Sequence, residues 1–274
     1  MDLVYMNVSI IVPVYNPDKE ILKELIKRVK SQIYRGRVEF LIIDEGKGFS
    51  EQMNIGIRKS KQEIIVILQQ DCIPSSNGWL KSLVKPFKDE RVIASVSKVE
   101  LPEKIWDTFN YITQGIMIKE RGVITSSLDG KGVAYRRKVI ESIGLFDEKR
   151  FRTAGEDYDT YIKIKNKGII AYPKNSKVMH NHPTDFFHRL KKDYQYANGY
   201  GTLVRIHKTK LIRWWAAILK ATPILGIFTY LTSYPWNKGG LAIFPAYLVA
   251  SLIDHFYYIP GFWKGFIDGK QTVR

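Results

Sequence analysis

Three short apolar runs near the start of the chain most constrain its fold: residues 8–14, 38–43 and 63–68. Each is rich in Val and Ile and reads as a buried parallel strand. Between the first two, Ile21, Leu22, Leu25, Ile26, Val29 and Ile33 recur at helical spacing, with Lys and Arg among them. Asn16 is expected to cap that helix, with Pro17 at its first position and Asp18 and Glu20 in its first turn. Residues 49–59 read as a second helix. Strand, helix, strand, helix, strand with short connections implies a right-handed, mostly parallel α/β sheet. Ligands of such sheets bind beyond the carboxyl ends of the strands. Asn16, Asp44 and Asp71 each lie at or just past such an end.

Farther along, residues 79–87 read as an amphipathic helix and 92–99 as a strand, whereas 100–130 show no clear period. A helix is expected over 135–143, stopped by Gly144, and another over 157–167, stopped by Gly168. Residues 169–172 and 177–179 read as short strands. Beyond His188 the character changes. Arg189, Lys191, Lys192, Arg205, Lys208, Lys210 and Arg213 face a single acid, Asp193. Two apolar stretches follow, 214–234 and 241–259, joined by a turn over 235–240. Each approaches the roughly 20 residues of a bilayer span. Trp and Tyr cluster at their ends, and basic residues flank the pair on both sides, which places both ends in the cytoplasm. The spacing therefore predicts an α/β domain over 1–188, then a basic linker and a helical, membrane-associated hairpin over 189–274. Lys220, Pro223, Asp254 and His255 interrupt the stretches, so a shallow, monotopic seat is the alternative to a span. The hairpin can equally pack on the α/β domain or in a dimer interface, and the latter keeps a second copy of the chain among the partners.

The chain has 274 residues, 45% of them hydrophobic, enough for a real core. Its 43 Lys and Arg against 27 Asp and Glu give a net charge of +16. That excess attracts phosphates, nucleic acid or anionic lipid. No zinc-finger spacing, RNA-recognition aromatic motif or helix-turn-helix is found, which argues against nucleic acid. Gly46-Lys47-Gly48 lacks P-loop spacing, and no Gly-x-Gly-x-x-Gly occurs. The single cysteine, Cys72, permits no intrachain disulfide and reads as a small buried residue. No secretory signal is seen in the residues that lead into the first strand.

The polar residues at the strand exits carry the chemistry. Residues Ser9 to Asn16, then Gln69-Gln70-Asp71-Cys72-Ile73-Pro74, then Gly155-Glu156-Asp157-Tyr158-Asp159 with His180 beyond, resemble in that order the family 2 glycosyltransferases of the GT-A fold. The resemblance covers residues 7–185. It implies an inverting transfer from a UDP- or GDP-sugar to a lipid-linked or membrane-proximal glycan. Pro13, Tyr15, Asn16, Asp44, Asn54, Gln69 and Asp71 would then meet the nucleotide. Asp44 stands where the family's Asp meets the base, although a loop carboxylate can equally cap a helix. Asn54 and Gly56 form the family's Asn-x-Gly. Asp71 is the retained acid of its Asp-x-Asp motif and would bind Mn²⁺ or Mg²⁺, with Gln69 in place of the first Asp. His180 would complete the metal shell, with His182 the weaker candidate, although His-x-His is also common in polar loops. Gly144-Leu145-Phe146-Asp147-Glu148 resembles the stretch that precedes the family's Glu-Asp pair. Asp157 would be the general base, Glu156 its orienter or an acceptor ligand, and Asp159 the second choice. Acids at a helix N-terminus also favour the helix without any chemistry. Because of Gln69, a subunit that binds nucleotide or glycan without turnover is the alternative reading.

Overall fold

The computed structural model describes residues 5–125, 127–182, 184–208 and 214–272. Residues 1–4, Lys210 and Arg213, on which the N-terminal and basic-stretch readings partly fall, lie outside the described residues. The elements run β1 Val8–Pro13, α1 Lys19–Lys30, β2 Val38–Ile43, α2 Phe49–Lys59, β3 Ile64–Leu68, β4 Cys72–Pro74, α3 Trp79–Val84, β5 Val92–Val96 and β6 Lys98–Leu101. Then come α4 Glu103–Trp106, α5 Tyr111–Met117, β7 Gly122–Thr125, β8 Lys131–Arg136, α6 Arg137–Ser142, α7 Glu156–Ile164, β9 Ile169–Ala171 and β10 Lys177–His180. The chain closes with α8 Phe186–His207, α9 Trp214–Lys220, α10 Leu225–Thr232 and α11 Trp236–Asp268. It forms two compact units: residues 1–100, 123–148 and 157–181 make the first, and 101–122, 149–156 and 182–274 the second.

In the first unit a six-stranded sheet runs β2-β1-β3-β8-β5-β9. β1 pairs in parallel with β2 and β3, and β5 with β9, while β8 runs antiparallel between β3 and β5. The mixed α/β sheet agrees with the fold expected from the sequence. Alternation along β1 and β3 fills both faces. Ile10, Val12, Ile64 and Val66 pack with Leu25 and Val29 of α1, whereas Ile11, Ile65 and Ile67 pack with Met53 and Ile57 of α2. Full burial of each such side chain contributes about 1.5–3 kcal/mol. A Cβ on Gly56 would lie 2.3 Å from Ile11 Cγ2, so α2 approaches β1 through that glycine.

Several local expectations are corrected. Asn16 does not cap α1; it takes a left-handed φ of 42°, which Asn tolerates. The cap is Asp18, whose Oδ1 accepts from the N–H groups of Glu20 and Ile21. Tyr135 and Arg136 are not helical but end β8. Tyr135 is fully buried, and the Arg136 guanidinium donates to the carbonyls of Val92 and Phe87. A short apolar run is ambiguous between helix and buried strand, and the sheet decides it.

In the second unit, α8 and α11 lie close together: a Cβ on Gly265 would meet Asn198 O at 1.9 Å, and one on Gly201 would meet Phe262 O at 1.9 Å. The basic stretch expected to be a linker is the helix α8 as far as His207. Its Arg189 is half-buried and paired with Glu120 and Asp193 rather than exposed. The apolar stretch 214–234 is not one rod: α9 and α10 meet at 114°, with Pro223 in the break. α11 is long and apolar enough to cross a membrane, with mean hydropathy 1.4. The expected turn over 235–240 is a helical turn followed by a kink at Gly240.

Candidate active site

Asp71 lies between β3 and β4, and His180 closes β10. Antiparallel pairing of β10 with β4 sets His180 opposite Cys72. As a result His180 Nε2 stands 3.4 Å from Asp71 Oδ2, and the Asn181 N–H donates to the Asp71 carbonyl at 2.8 Å. The ligand atoms of Asp71, Cys72 and His180 all lie within 4.8 Å of one another. A carboxylate oxygen and an imidazole nitrogen at this separation fit one divalent ion, which sits about 2.0–2.2 Å from such ligands. Cys72 is buried, and burial together with the Asp71 charge pushes its thiol up, so it packs as a neutral side chain.

The first strand's exit is braced by glutamines that carry no pattern in the sequence. Gln70 Oε1 accepts from the Tyr15 N–H at 2.8 Å, and its Nε2 donates to the Tyr15 carbonyl at 3.0 Å. Gln52 Nε2 donates to the carbonyls of Val14 and Ile43, tying together the ends of β1 and β2. Tyr15 is thereby held at its backbone while its ring stays 82% exposed. Asp44 follows β2 and is exposed. Pro13, Tyr15, Asn16, Asp44, Gln69 and Asp71 thus all lie at the carboxyl ends of neighbouring parallel strands.

The loop that leads into β8 connects this rim to Asp157. Gln69 Nε2 donates to the Asp129 carbonyl at 2.7 Å, and the Gln69 N–H donates to Gly130 O at 3.0 Å. Ser127 Oγ donates to Asp157 Oδ2 at 2.8 Å, and Asp129 pairs with Lys131 at 2.9 Å. Burial and the neighbouring Asp129 carboxylate raise the Asp157 pKa above its ordinary value. Glu156 is buried at the first position of α7. Asp159 is buried in an i,i+4 pair with Lys163 at 2.6 Å, which suits a structural ion pair.

Asn54 is not at the rim. Its Oδ1 accepts from the Phe146 N–H at 3.0 Å, and its Nδ2 donates to the Phe146 carbonyl and to Glu148. Both ends of its buried amide are spent on the Phe146-Asp147-Glu148 segment.

The family described as "Glycosyltransferase like family 2" matches residues 1–197. The chain belongs to glycosyltransferase family 2. A rhamnosyltransferase of Salmonella anatum, "O-antigen chain rhamnosyltransferase WbaN", is 29% identical over 135 residues, which cover 44% of this chain and 42% of that protein. The chain thus spans less than half the length of that relative. Among solved structures, the mannosyltransferase PcManGT from Pyrobaculum calidifontis, in complex with GDP-Man and Mn²⁺, superposes with TM-score 0.62. It is 16% identical, and the match covers 96% of this chain and 88% of that one. GalNAc-T7 with UDP, GalNAc and Mn²⁺ superposes with TM-score 0.51 at 16% identity, over 66% of this chain and 44% of that one. These likenesses show the GT-A fold for this family 2 chain. Family and fold are as the sequence motifs implied.

Proposed function

We propose that this family 2 chain is an inverting glycosyltransferase. It moves a sugar from a UDP- or GDP-sugar to a hydroxyl of a lipid-linked or membrane-proximal glycan. One observation carries the reading: Asp71 and His180 meet at the exit of β3, and Gln69 beside them grips the loop whose Ser127 holds Asp157. Asp44 and the backbone about Pro13, Tyr15 and Asn16 receive the nucleoside, with Gln70 keeping the Tyr15 backbone in place. Asp71 and His180 would hold Mn²⁺ or Mg²⁺. When bound, that ion supplies Lewis-acid neutralisation of the leaving nucleotide diphosphate. Asp157 takes the proton of the acceptor hydroxyl. The new C–O bond forms on one face of the anomeric carbon as the bond to the diphosphate breaks on the other, which inverts the centre. Ser127 orients the Asp157 carboxylate, and its raised pKa strengthens it as a base. Glu156 orients Asp157 or receives the acceptor. Asn54 serves at one remove, by holding the Phe146-Asp147-Glu148 segment.

The ligands named for PcManGT and GalNAc-T7 support a nucleotide-sugar donor with a divalent ion, and the O-antigen relative supports a glycan acceptor. A phosphate acceptor would arrive already ionised and need no base, so the Glu156–Asp157 pair favours a hydroxyl. On α11, Leu241, Phe256 and Ile267 are 79%, 74% and 74% exposed, an apolar surface suited to lipid. With the net charge of +16, this supports a seat on the cytoplasmic face of a membrane. The test is transfer: UDP- and GDP-sugars are incubated with the protein, Mn²⁺ and a glycolipid extract, and sugar incorporation is followed. Incorporation from one donor class that is abolished in Asp157→Ala supports the reading. Equal incorporation by wild type and Asp157→Ala sinks it.

A further inference from the structure

After α11 the chain reverses at Gly269, which takes a left-handed φ of 63° and donates its N–H to Gly265 O at 3.0 Å. The reversal delivers Gln271, 6% exposed, to the residues that precede α7. Gln271 Oε1 accepts from the N–H groups of Arg152 at 2.9 Å, Thr153 at 2.7 Å and Ala154 at 3.1 Å. Its own N–H donates to the Arg150 carbonyl at 2.7 Å, and its Nε2 donates to Gln195 O on α8 at 3.2 Å. The next residue is tied down as well: the Thr272 N–H donates to Asn198 Oδ1 at 3.0 Å. An amide oxygen offers two lone pairs, so three converging N–H groups use it to the full. Successive N–H groups aimed at one point are a demanding backbone arrangement, and left empty in a buried place they would be costly.

The next two residues are Gly155 and Glu156. Gly155 has a φ of 93°, and a Cβ there would lie 2.9 Å from Phe151 and 3.2 Å from Gly199 O. Gly199 is equally tight, since a Cβ on it would stand 2.5 Å from Ala154 O. Residues 150–155 are therefore pinned from α8 and from the segment after α11, and α7 begins where that pinning ends. We infer that Gln271 is a positioning residue for the Glu156–Asp157 pair: its side-chain oxygen gathers the N–H groups of 152–154 and so fixes the start of the helix that carries both acids. The inference rests on the reading of Asp157 as the base. It gives the segment beyond the apolar helix a part in the chemistry, although it lies far along the chain from every motif.

Three variants of the full chain test it: Gln271→Ala, Gln271→Glu and Asp157→Asn. The probe is nucleotide release from the preferred UDP- or GDP-sugar with Mn²⁺ and the glycolipid extract as acceptor, together with hydrogen exchange of the 150–155 amides. Misplacement of a catalytic group by about 1 Å costs on the order of 100-fold. Gln271→Ala is expected to lower kcat at least about 10-fold on that scale, with unchanged affinity for the nucleoside diphosphate and faster exchange at 152–154. Gln271→Glu keeps an acceptor oxygen for the 152–154 N–H groups but loses the donor to Gln195 O, so it is expected to restore kcat in part, to a level between Gln271→Ala and wild type. A merely structural tail would instead lower the melting temperature in both variants and leave the kcat of the folded fraction alone. Full kcat in Gln271→Ala, or equal loss in the Ala and Glu variants, overturns the inference. Should Gln271→Ala not fold, exchange in the wild type decides: amides of 152–154 as slow as those of α8 support the latch, and fast ones overturn it. If Asp157→Asn keeps full activity, the base assignment itself has failed, an outcome distinct from failure of the Gln271 role.

Discussion

Asp157→Asn separates catalysis from stability. The carboxylate accepts from Ser127 Oγ at 2.8 Å and from the Tyr158 N–H, and an Asn carbonyl oxygen can also accept. Shape and contact are kept while the charge and basicity go. Burial and Asp129 raise its pKa, so the folded state binds the Asp157 proton more tightly than the unfolded chain does. Below about pH 3.8, the ordinary value, both states hold the proton and the group contributes its full stability. That contribution is lost as pH rises through the folded pKa, and above it the ionised carboxylate weighs against the fold. At neutral pH, Asp157→Asn should therefore melt no lower than wild type, and the difference should vanish in acid. Activity should move the opposite way. Loss of a general base costs about 10²- to 10⁴-fold in kcat, a barrier increase of about 3–5 kcal/mol. The activity of the wild type should also fall on the acid side as Asp157 takes its proton. The assay pairs turnover with thermal melts across pH on the same samples. A variant that melts well below wild type at neutral pH, or that keeps kcat within a few-fold, refutes the reasoning.

Two further outcomes follow from other contacts. Gln69→Asp restores the acid that the family motif carries, yet it is expected to lower activity rather than raise it. The Gln69 amide donates to the Asp129 carbonyl, and a carboxylate there can only repel it; a rise in turnover would contradict this. Gly265→Ala places a Cβ 1.9 Å from Asn198 O, a backbone atom that cannot rotate away. Overpacking of this kind costs about 1–3 kcal/mol, against a helix-propensity gain of about 1 kcal/mol, so a net loss of about 1 kcal/mol, at most about 2 kcal/mol, is expected from denaturation of the protein in detergent. An unchanged midpoint would show that α8 and α11 do not meet as described.

The first half of the sheet was legible because its strands are unbroken Val and Ile runs and its helices carry a clear 3.6-residue period. Residues 38–43 and 49–59 come out at the bounds read from the sequence. Elsewhere the tertiary environment decided. Tyr135 and Arg136 sit where strand and helix patterns coincide, and β8 took them because the sheet needed a strand between β3 and β5. The short elements of 100–130 fall below the window in which a period can be recognised. Charged side chains on α8 hid a helix whose hydrophobic face is weak, since small residues such as Gly201 close its packing. At the candidate site, the motifs pointed to Asp71, His180 and Asp157, but not to the polar side chains that brace the segments around them. Gln52, Gln70, Ser127 and Gln271 act on backbone groups or carboxylates distant in sequence, a role that leaves no spacing to read. Asn54 misled for the converse reason: it matches a motif, yet its amide is occupied by Phe146.

The most direct test of the central claim is binding of UDP and of GDP, each with and without Mn²⁺, followed by thermal stabilisation of wild type and Asp71→Ala. A ligand at about 100 times its dissociation constant adds roughly 2.7 kcal/mol to the folded state. Metal-dependent nucleotide binding at Asp71 and His180 predicts a shift for one nucleotide that needs Mn²⁺ and disappears in Asp71→Ala. No shift with either nucleotide, or a shift that survives in Asp71→Ala, would contradict it.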